Sequence, residues 1–525
     1  YNSMKTGTIT RGNLVFKFVG AAMLLSLGLV GTVQAADITQ TIKVGVPDLP
    51  PGKGNPFSAL GTPSIYTWSA LFDSLTLVDG KGVAQPALAV KWENVNPTTW
   101  RFTLRGGVNF SNGEPLSPEA VITGFNYIKS GKAGRSPIVR ELKGVSSASA
   151  SGGNAVDFVT KRPDPIFPNR IAALKVVAPK HWAAKGVKGY AIDPVGTGPY
   201  KVAKWDANKV TLVAFEGSWR APKAGKLEIL ELPERSARVQ ALVSGQVDIV
   251  AGLSPDNVPV IKGSGHRVDV RAAPQVMSLA LPLVRKNKQK KLVALDTPFA
   301  DPRVRRALNY AVDKEGIAKN VLGGLAKAAG QGATPAAFGY NPNVKPYPFD
   351  PAKAKALLAE AGFPNGISFT AEVVTGSFPG DSEIYQKMAQ DMAKAGIKVT
   401  LQKITFPNWL GKYLGRKSWK GQAFGLSWNS APYIDSIRPI TLFSCFNPFT
   451  FTCDESVKGM ISKANTEFDA VKRKAMLNQI HEANHATPPA VFLVEQIDIF
   501  GLSKRTRGFN QINRFVPYQD ISVGK

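Results

Sequence analysis

Three groups of residues in this chain have side chains that could do chemistry. The first is His481-Glu482-Ala483-Asn484-His485. Two imidazoles at i and i+4 on a helix can hold a zinc ion, and the glutamate between them can act as a base on bound water. The second is the run from Trp428 through Asn429, Ser430, Ala431, Tyr433 and Asp435 to Arg438. Trp428 offers a flat apolar face for stacking, and Asn429 and Ser430 offer neutral hydrogen bonds. Tyr433 and Asp435 add a phenol and a carboxylate. Arg438 can clamp a carboxylate or phosphate through two parallel bonds. The third group is Cys445 and Cys453, the two cysteines of the chain. An even count behind an export signal predicts a disulfide, and two thiols are too few for a structural zinc site.

The elements around these groups sort the possibilities. The helical pattern around His481 runs from Val471 to His485 and stops at Thr487-Pro488-Pro489, which cannot extend it. The nearby candidate for a third metal ligand is Glu495, in a strand-like stretch and not on a following helix. His181 and His266 are far apart in sequence and suggest no site. Gly52-Lys53-Gly54-Asn55 lacks the spacing of a phosphate-binding loop. No catalytic residue, metal or cofactor is expected. A secreted zinc metallopeptidase built on His481 and His485 is the alternative.

A chain of 525 residues is too long for one hydrophobic core, so two or three domains are expected. At the N-terminus Lys5, Arg11 and Lys17 flank and precede the apolar run Phe18 to Val33, and Val33-Gln34-Ala35 has the small residues of a cleavage site. Residues 1–35 therefore read as a signal peptide, and export to the periplasm is expected. Net charge is +27. The one dense basic run, Arg285 to Lys291, lacks interleaved aromatics and reads as a solvated loop, so no nucleic-acid partner is expected.

Strand-like runs alternate with helices that announce their starts, which predicts an α/β fold. Ser117-Pro118, Asp301-Pro302 and Asp350-Pro351 each pair a capping residue with proline at the first helical position. Strands are expected at 42–46, 100–104, 210–215, 227–232, 247–250 and 399–404. Residues 146–154, SSASASGGN, read as a hairpin-type loop.

Five stretches, in order, carry a resemblance. They are 86–128 (PALAVKWENVNPTTWRFTLRGGVNFSNGEPLSPEAVITGFNYI), 195–200 (VGTGPY), 235–250 (RSARVQALVSGQVDIV), 299–322 (FADPRVRRALNYAVDKEGIAKNVL) and 347–363 (YPFDPAKAKALLAEAGF). Together they resemble the extracellular solute-binding proteins of family 5, the periplasmic binding components of ABC importers that include oligopeptide- and dipeptide-binding proteins.

The resemblance implies a large class II periplasmic-binding-protein fold, with two lobes, a cleft between them and an extra domain. Lobe I would combine 36–75, 190–272 and 490–525, the extra domain would be 76–189, and lobe II 273–489. It implies a monomer that closes on a small-molecule or peptide-like ligand and hands it to an inner-membrane ABC permease. It adds Tyr66 and Trp68, after the first strand, to the candidate ligand-binding set of Trp428, Asn429, Ser430, Tyr433, Asp435 and Arg438. In peptide-binding members an aspartate three residues after the tryptophan pairs with the peptide amino group. Here that position is Ala431. A modified peptide, a glutathione-like tripeptide, an opine or an oligosaccharide therefore fits the residues about as well as a plain peptide.

Overall fold

Ser117, Asp301 and Asp350 each stand at a helix start, before Pro118–Lys129, Pro302–Tyr310 and Pro351–Glu360. A carboxylate oxygen of Asp301 accepts from the backbone N–H of Arg303 at 2.7 Å, and one of Asp350 accepts from Lys353 at 2.9 Å. Proline costs nothing at the first helical position, where its missing N–H would have no intrahelical partner. The computed structural model describes residues 37–524 except 135, 288, 290, 414–418, 448 and 449. The signal-peptide reading lies outside the described residues, as do Lys288 and Lys290 of the basic run. Among the described residues no helix is long and apolar enough to cross a membrane.

A ten-stranded mixed sheet forms the frame. In spatial order its strands are Ile397–Ile404, Ile367–Val374, Ala423–Asn429, Arg267–Ala280, Ala490–Leu502, Ile249–Val250, Asp37–Val46, Ala224–Glu231, Lys209–Ala214 and Tyr200–Trp205. Ile367–Val374 pairs in parallel with both of its neighbours, and so does Asp37–Val46. The other pairings are antiparallel. The α/β reading holds, and the expected strands lie within a few residues of the observed ones.

The two longest strands, Arg267–Ala280 and Ala490–Leu502, pair at the middle of the sheet. Their register slips between Ala272 and Val276, so Ala273, Pro274 and Gln275 stand against Gln496 alone. Such a bulge bends a strand and re-aims its backbone groups. The carbonyl of Pro274 is turned toward Ser430, which donates both its N–H (2.9 Å) and its hydroxyl (3.0 Å) to it.

A separate antiparallel sheet has the order Ala89–Asn96, Thr99–Leu104, Ala155–Thr160, Val145–Ala150. Trp100, Phe102 and Leu104 alternate inward, and Phe102 meets Phe158 edge-on at 5.9 Å. This sheet corrects the reading of 146–154 as a loop. Ser146 to Ala150 belong to a strand, and the turn is confined to 151–154, where Gly152 and Gly153 take positive φ. Cross-strand pairing with Ala155–Thr160 overrides the weak strand propensity of serine and alanine.

One buried apolar cluster joins the first strand, the four-stranded sheet and the C-terminal residues up to Val523. A second surrounds the helices and strands between Ala241 and Ile499. A third, rich in aromatics, holds Trp428, Phe424, Phe443, Phe451 and Phe492.

Glu495 lies on the central strand and is buried, with its backbone N–H donating to the Lys327 carbonyl at 2.8 Å. Burial pushes its carboxyl up from 4.5 to about 7, against the opposing pull of Lys327. Between those values native Glu495 keeps a proton that the unfolded chain releases, so this group's contribution to stability falls as pH rises through that interval. Glu495→Gln should make stability rise more steeply with pH than in the parent and leave the variant about 2–3 kcal/mol more stable than the parent above pH 7. Urea unfolding at about pH 5 and about pH 8 measures this. An unchanged slope would clear Glu495 of the effect.

Candidate functional site

The strand Ala423–Asn429 is almost wholly buried, and its Phe424, Leu426 and Trp428 join the aromatic cluster. Trp428 meets Phe443 at 4.9 Å and Phe492 at 5.2 Å, both edge-on. Its indole lies over Gly332 so closely that a Cβ there would strike the ring. Past Asn429 the chain turns away through Pro432. Ser430 anchors the turn to the bulge at Pro274, and the Asn429 side-chain oxygen accepts from Ala431 N–H at 2.8 Å.

Ile434, two residues further on, has φ 54°. A β-branched residue in the left-handed region is strained by roughly 1–3 kcal/mol and persists only where its surroundings over-determine it. Its carbonyl accepts from Phe338 N–H at 2.9 Å, and its own N–H reaches Ser430. On either side of it, Tyr433 and Asp435 take different partners.

Asp435 turns inward. Its two oxygens accept from both terminal nitrogens of Arg473 at 2.8 and 2.9 Å, and both side chains are almost fully buried. Tyr433 and Arg438 turn instead toward residues near 140 and 170. The Arg438 guanidinium donates to Glu141 Oε1 at 2.7 Å and to the Asn429 carbonyl at 2.7 Å. The Tyr433 hydroxyl donates to the other Glu141 oxygen. Arg170 lies over the Tyr433 ring at 4.6 Å and is held in place by Asp164 at 2.6 Å. Asn169 donates to the Tyr433 carbonyl at 2.8 Å.

Between these two sets lies a cavity of about 140 Å³, walled by Glu141, Ile166, Arg170, Tyr433, Ile437 and Arg438, with Arg140 and Lys143 at its exposed rim. Burial alone would push the Glu141 carboxyl up. Arg438, Arg140 and the Tyr433 hydroxyl outweigh it and hold the carboxyl at about 2. Burial and Glu141 together raise the Tyr433 hydroxyl, which therefore remains a donor. The site can present a carboxylate, guanidinium groups and an aromatic face to one small group.

Of the residues singled out in the sequence, Tyr433 and Arg438 line the cavity and Asn429 supports Arg438 from behind. Trp428 backs the loop from the aromatic core. Ser430 is committed to Pro274 and Asp435 to Arg473. Tyr66 and Trp68 lie in the helix Ser64–Leu71, inside the first apolar cluster. Tyr66 meets Phe500 edge-on at 5.5 Å, and the Trp68 indole N–H donates to the Lys53 carbonyl at 3.0 Å. Neither borders the cavity. The sequence reading missed Glu141, Arg140 and Arg170. Nothing local marks Glu141, because Tyr433 and Arg438 lie nearly three hundred residues away, and Arg140 and Arg170 gain their place at the cavity only through that packing. Cys445 and Cys453 form the predicted disulfide, which closes the segment after the helix Ile437–Leu442.

The histidine motif serves structure. His481 is buried in its helix, and burial pushes its imidazole down to about 4. Glu482 accepts from Asn341 at 2.9 Å. His485 stacks on Tyr347 at 4.3 Å, with its Nε2 3.0 Å from the Lys345 carbonyl. The three side chains thus have three different sets of surroundings.

The sequence profile of bacterial extracellular solute-binding proteins, family 5 Middle, matches residues 83–448. The chain is 26% identical over 458 residues to the dipeptide-binding protein of Escherichia coli K12, covering 81% of this chain and 83% of that one. It is 24% identical over 428 residues to the glutathione-binding protein GsiB of the same strain, covering 78% and 80%. In structure it is similar to the periplasmic binding protein DppA of Helicobacter pylori solved with the peptide STSA. That likeness has TM-score 0.74 and 22% identity, over 92% of this chain and 98% of the other. The fold is the two-lobed one of periplasmic binding proteins, and these relatives are binding proteins and not enzymes. The chain belongs to family 5 of the bacterial extracellular solute-binding proteins and is the solute-binding component of an ABC importer.

Proposed function

We propose that the cavity walled by Glu141 and Arg438 receives one end of a peptide-like solute, which the protein captures outside the cytoplasmic membrane and delivers to an ABC permease. The observation that carries this reading is the double clasp on Glu141. Tyr433 and Arg438 reach it from positions 292 and 297 residues away in sequence. A clasp of that kind joins distant parts of the chain around a space, and a ligand placed there would favour the closed arrangement. The dipeptide- and glutathione-binding relatives and the STSA peptide of DppA support a peptide-like solute. Ala431, where peptide binders carry an acid, favours a solute whose amino end is modified or held otherwise.

The same reading takes the protein as a periplasmic monomer, exported through residues 1–35. It places lobe I at 36–75, 190–272 and 490–525, the extra domain at 76–189 and lobe II at 273–489. The cavity would then lie between the extra domain and lobe II. Thermal unfolding with a panel of dipeptides, tripeptides, glutathione and opines tests the function. A true ligand at a hundredfold over its Kd should add about 2.7 kcal/mol and raise the melting temperature. Silence across the whole panel would overturn the reading.

A further inference from the structure

The charges around the cavity do not balance. Arg140, Lys143, Arg170 and Arg438 border it, and Glu141 is the acid in its wall. Asp164, behind Arg170, is the second carboxylate within reach. Four cations therefore share two acids. Arg140 stands 3.5 Å from Glu141 and competes with Arg438 for it. The Arg438 Nε is buried and has no hydrogen-bond partner among the described residues. Guanidinium groups withdrawn from water are costly unless paired, and their planar fork matches a carboxylate. Arg140 and Lys143 stand at the exposed rim, where their positive charge draws an anion toward the recess.

The volume limits what enters. A space of about 140 Å³ holds one small group, comparable with a cavity that takes a single benzene ring. A whole tripeptide does not fit, but one end of it does. Glu141 already shows how a carboxylate sits there, accepting from Arg438 on one side and from Tyr433 on the other. We propose that this cavity is a subsite for an acidic end of the solute, so that the importer selects peptide-like solutes of net negative charge. Arg140 and Lys143 are the specificity residues at the rim, and Arg438 is the anchor in the wall. This rests on the function proposed above and narrows it.

The test is a charge-matched ligand series measured by calorimetry on the purified mature protein. Glutamyl-glutamate, its fully amidated counterpart and lysyl-lysine form the series, with inorganic phosphate as a separate arm. The diacid should bind at least about tenfold more tightly than the diamide at low salt, and the gap should narrow as ionic strength rises. The Arg140→Ala/Lys143→Ala double variant should cut the preference to less than about threefold. Its melting temperature without ligand verifies that it folds. Equal or tighter binding of the diamide or of lysyl-lysine would overturn the inference and leave the proposed function standing. So would a double variant with an undiminished preference. Binding of phosphate with no binding of the diacid would overturn the carboxylate assignment. Failure of every peptide in this series and of the wider panel would overturn both readings together.

Discussion

Asp435→Ala should lower the free energy of unfolding by about 3–5 kcal/mol, the largest single-site effect expected in this protein. The aspartate and Arg473 form a two-bond ion pair in which the side chains are 3% and 5% exposed. Removing the acid strands a guanidinium where water cannot reach it. The remaining contacts of Arg473, a bond to the Ala464 carbonyl at 3.0 Å and the face of Phe338 at 4.9 Å, do not neutralise it. The loss would also remove the bond that the Asp435 side chain accepts from Ile437 N–H at 2.9 Å, at the start of the next helix. Urea unfolding of the two proteins at neutral pH measures the difference. Asp435→Ala/Arg473→Met should recover most of it, because a buried pair replaced by apolar groups of similar volume is often nearly neutral. A single variant within about 1 kcal/mol of the parent would mean that the pair contributes nothing beyond its own desolvation.

Glu141→Gln should cost about 3 kcal/mol near neutral pH and remove one carboxylate's share of the acid limb of the stability curve. The native carboxyl sits at about 2 against an ordinary 4.5. A depressed acid contributes stability that is fully present above its unfolded value and is lost as pH falls toward the folded one. The parent should therefore lose more stability than the glutamine variant between about pH 4.5 and about pH 2. Glutamine keeps one oxygen for Arg438 and turns an N–H donor toward Tyr433, so the pH dependence, and not the neutral-pH difference, isolates the charge. Unfolding at about pH 7 and about pH 3 separates the outcomes. Parallel curves for the two proteins would refute the assignment. The window differs from that of Glu495, whose raised carboxyl acts between 4.5 and about 7 with the opposite sign.

Much of the scaffold was legible because its signals are local. A capping aspartate followed by proline satisfies a helix start within four residues, whatever the rest of the chain does. Alternating apolar residues such as Trp100, Phe102 and Leu104 need only a sheet with one face covered. The error at 146–154 has the same root. Serine and glycine there look like a loop until Ala155–Thr160 supplies the partner strand. The His481 motif shows a second limit. Spacing put both imidazoles on one helix, but burial and the Tyr347 ring decided what each of them does.

The candidate site divides along the same line. Composition and order of residues by themselves determined an α/β chain of family 5, a disulfide between two lone cysteines, and a polar loop after a buried strand. Asp435 and Arg438 stand three apart and could as well have paired with each other. The tertiary structure alone decided that one turns to Arg473 and the other to Glu141. Ion pairs are short-range and depend on which distant segment packing brings within 3 Å, and no local pattern encodes that contact. The cavity, its excess of positive charge and the acid in its wall exist only because a loop near 435 folds against residues near 140 and 170.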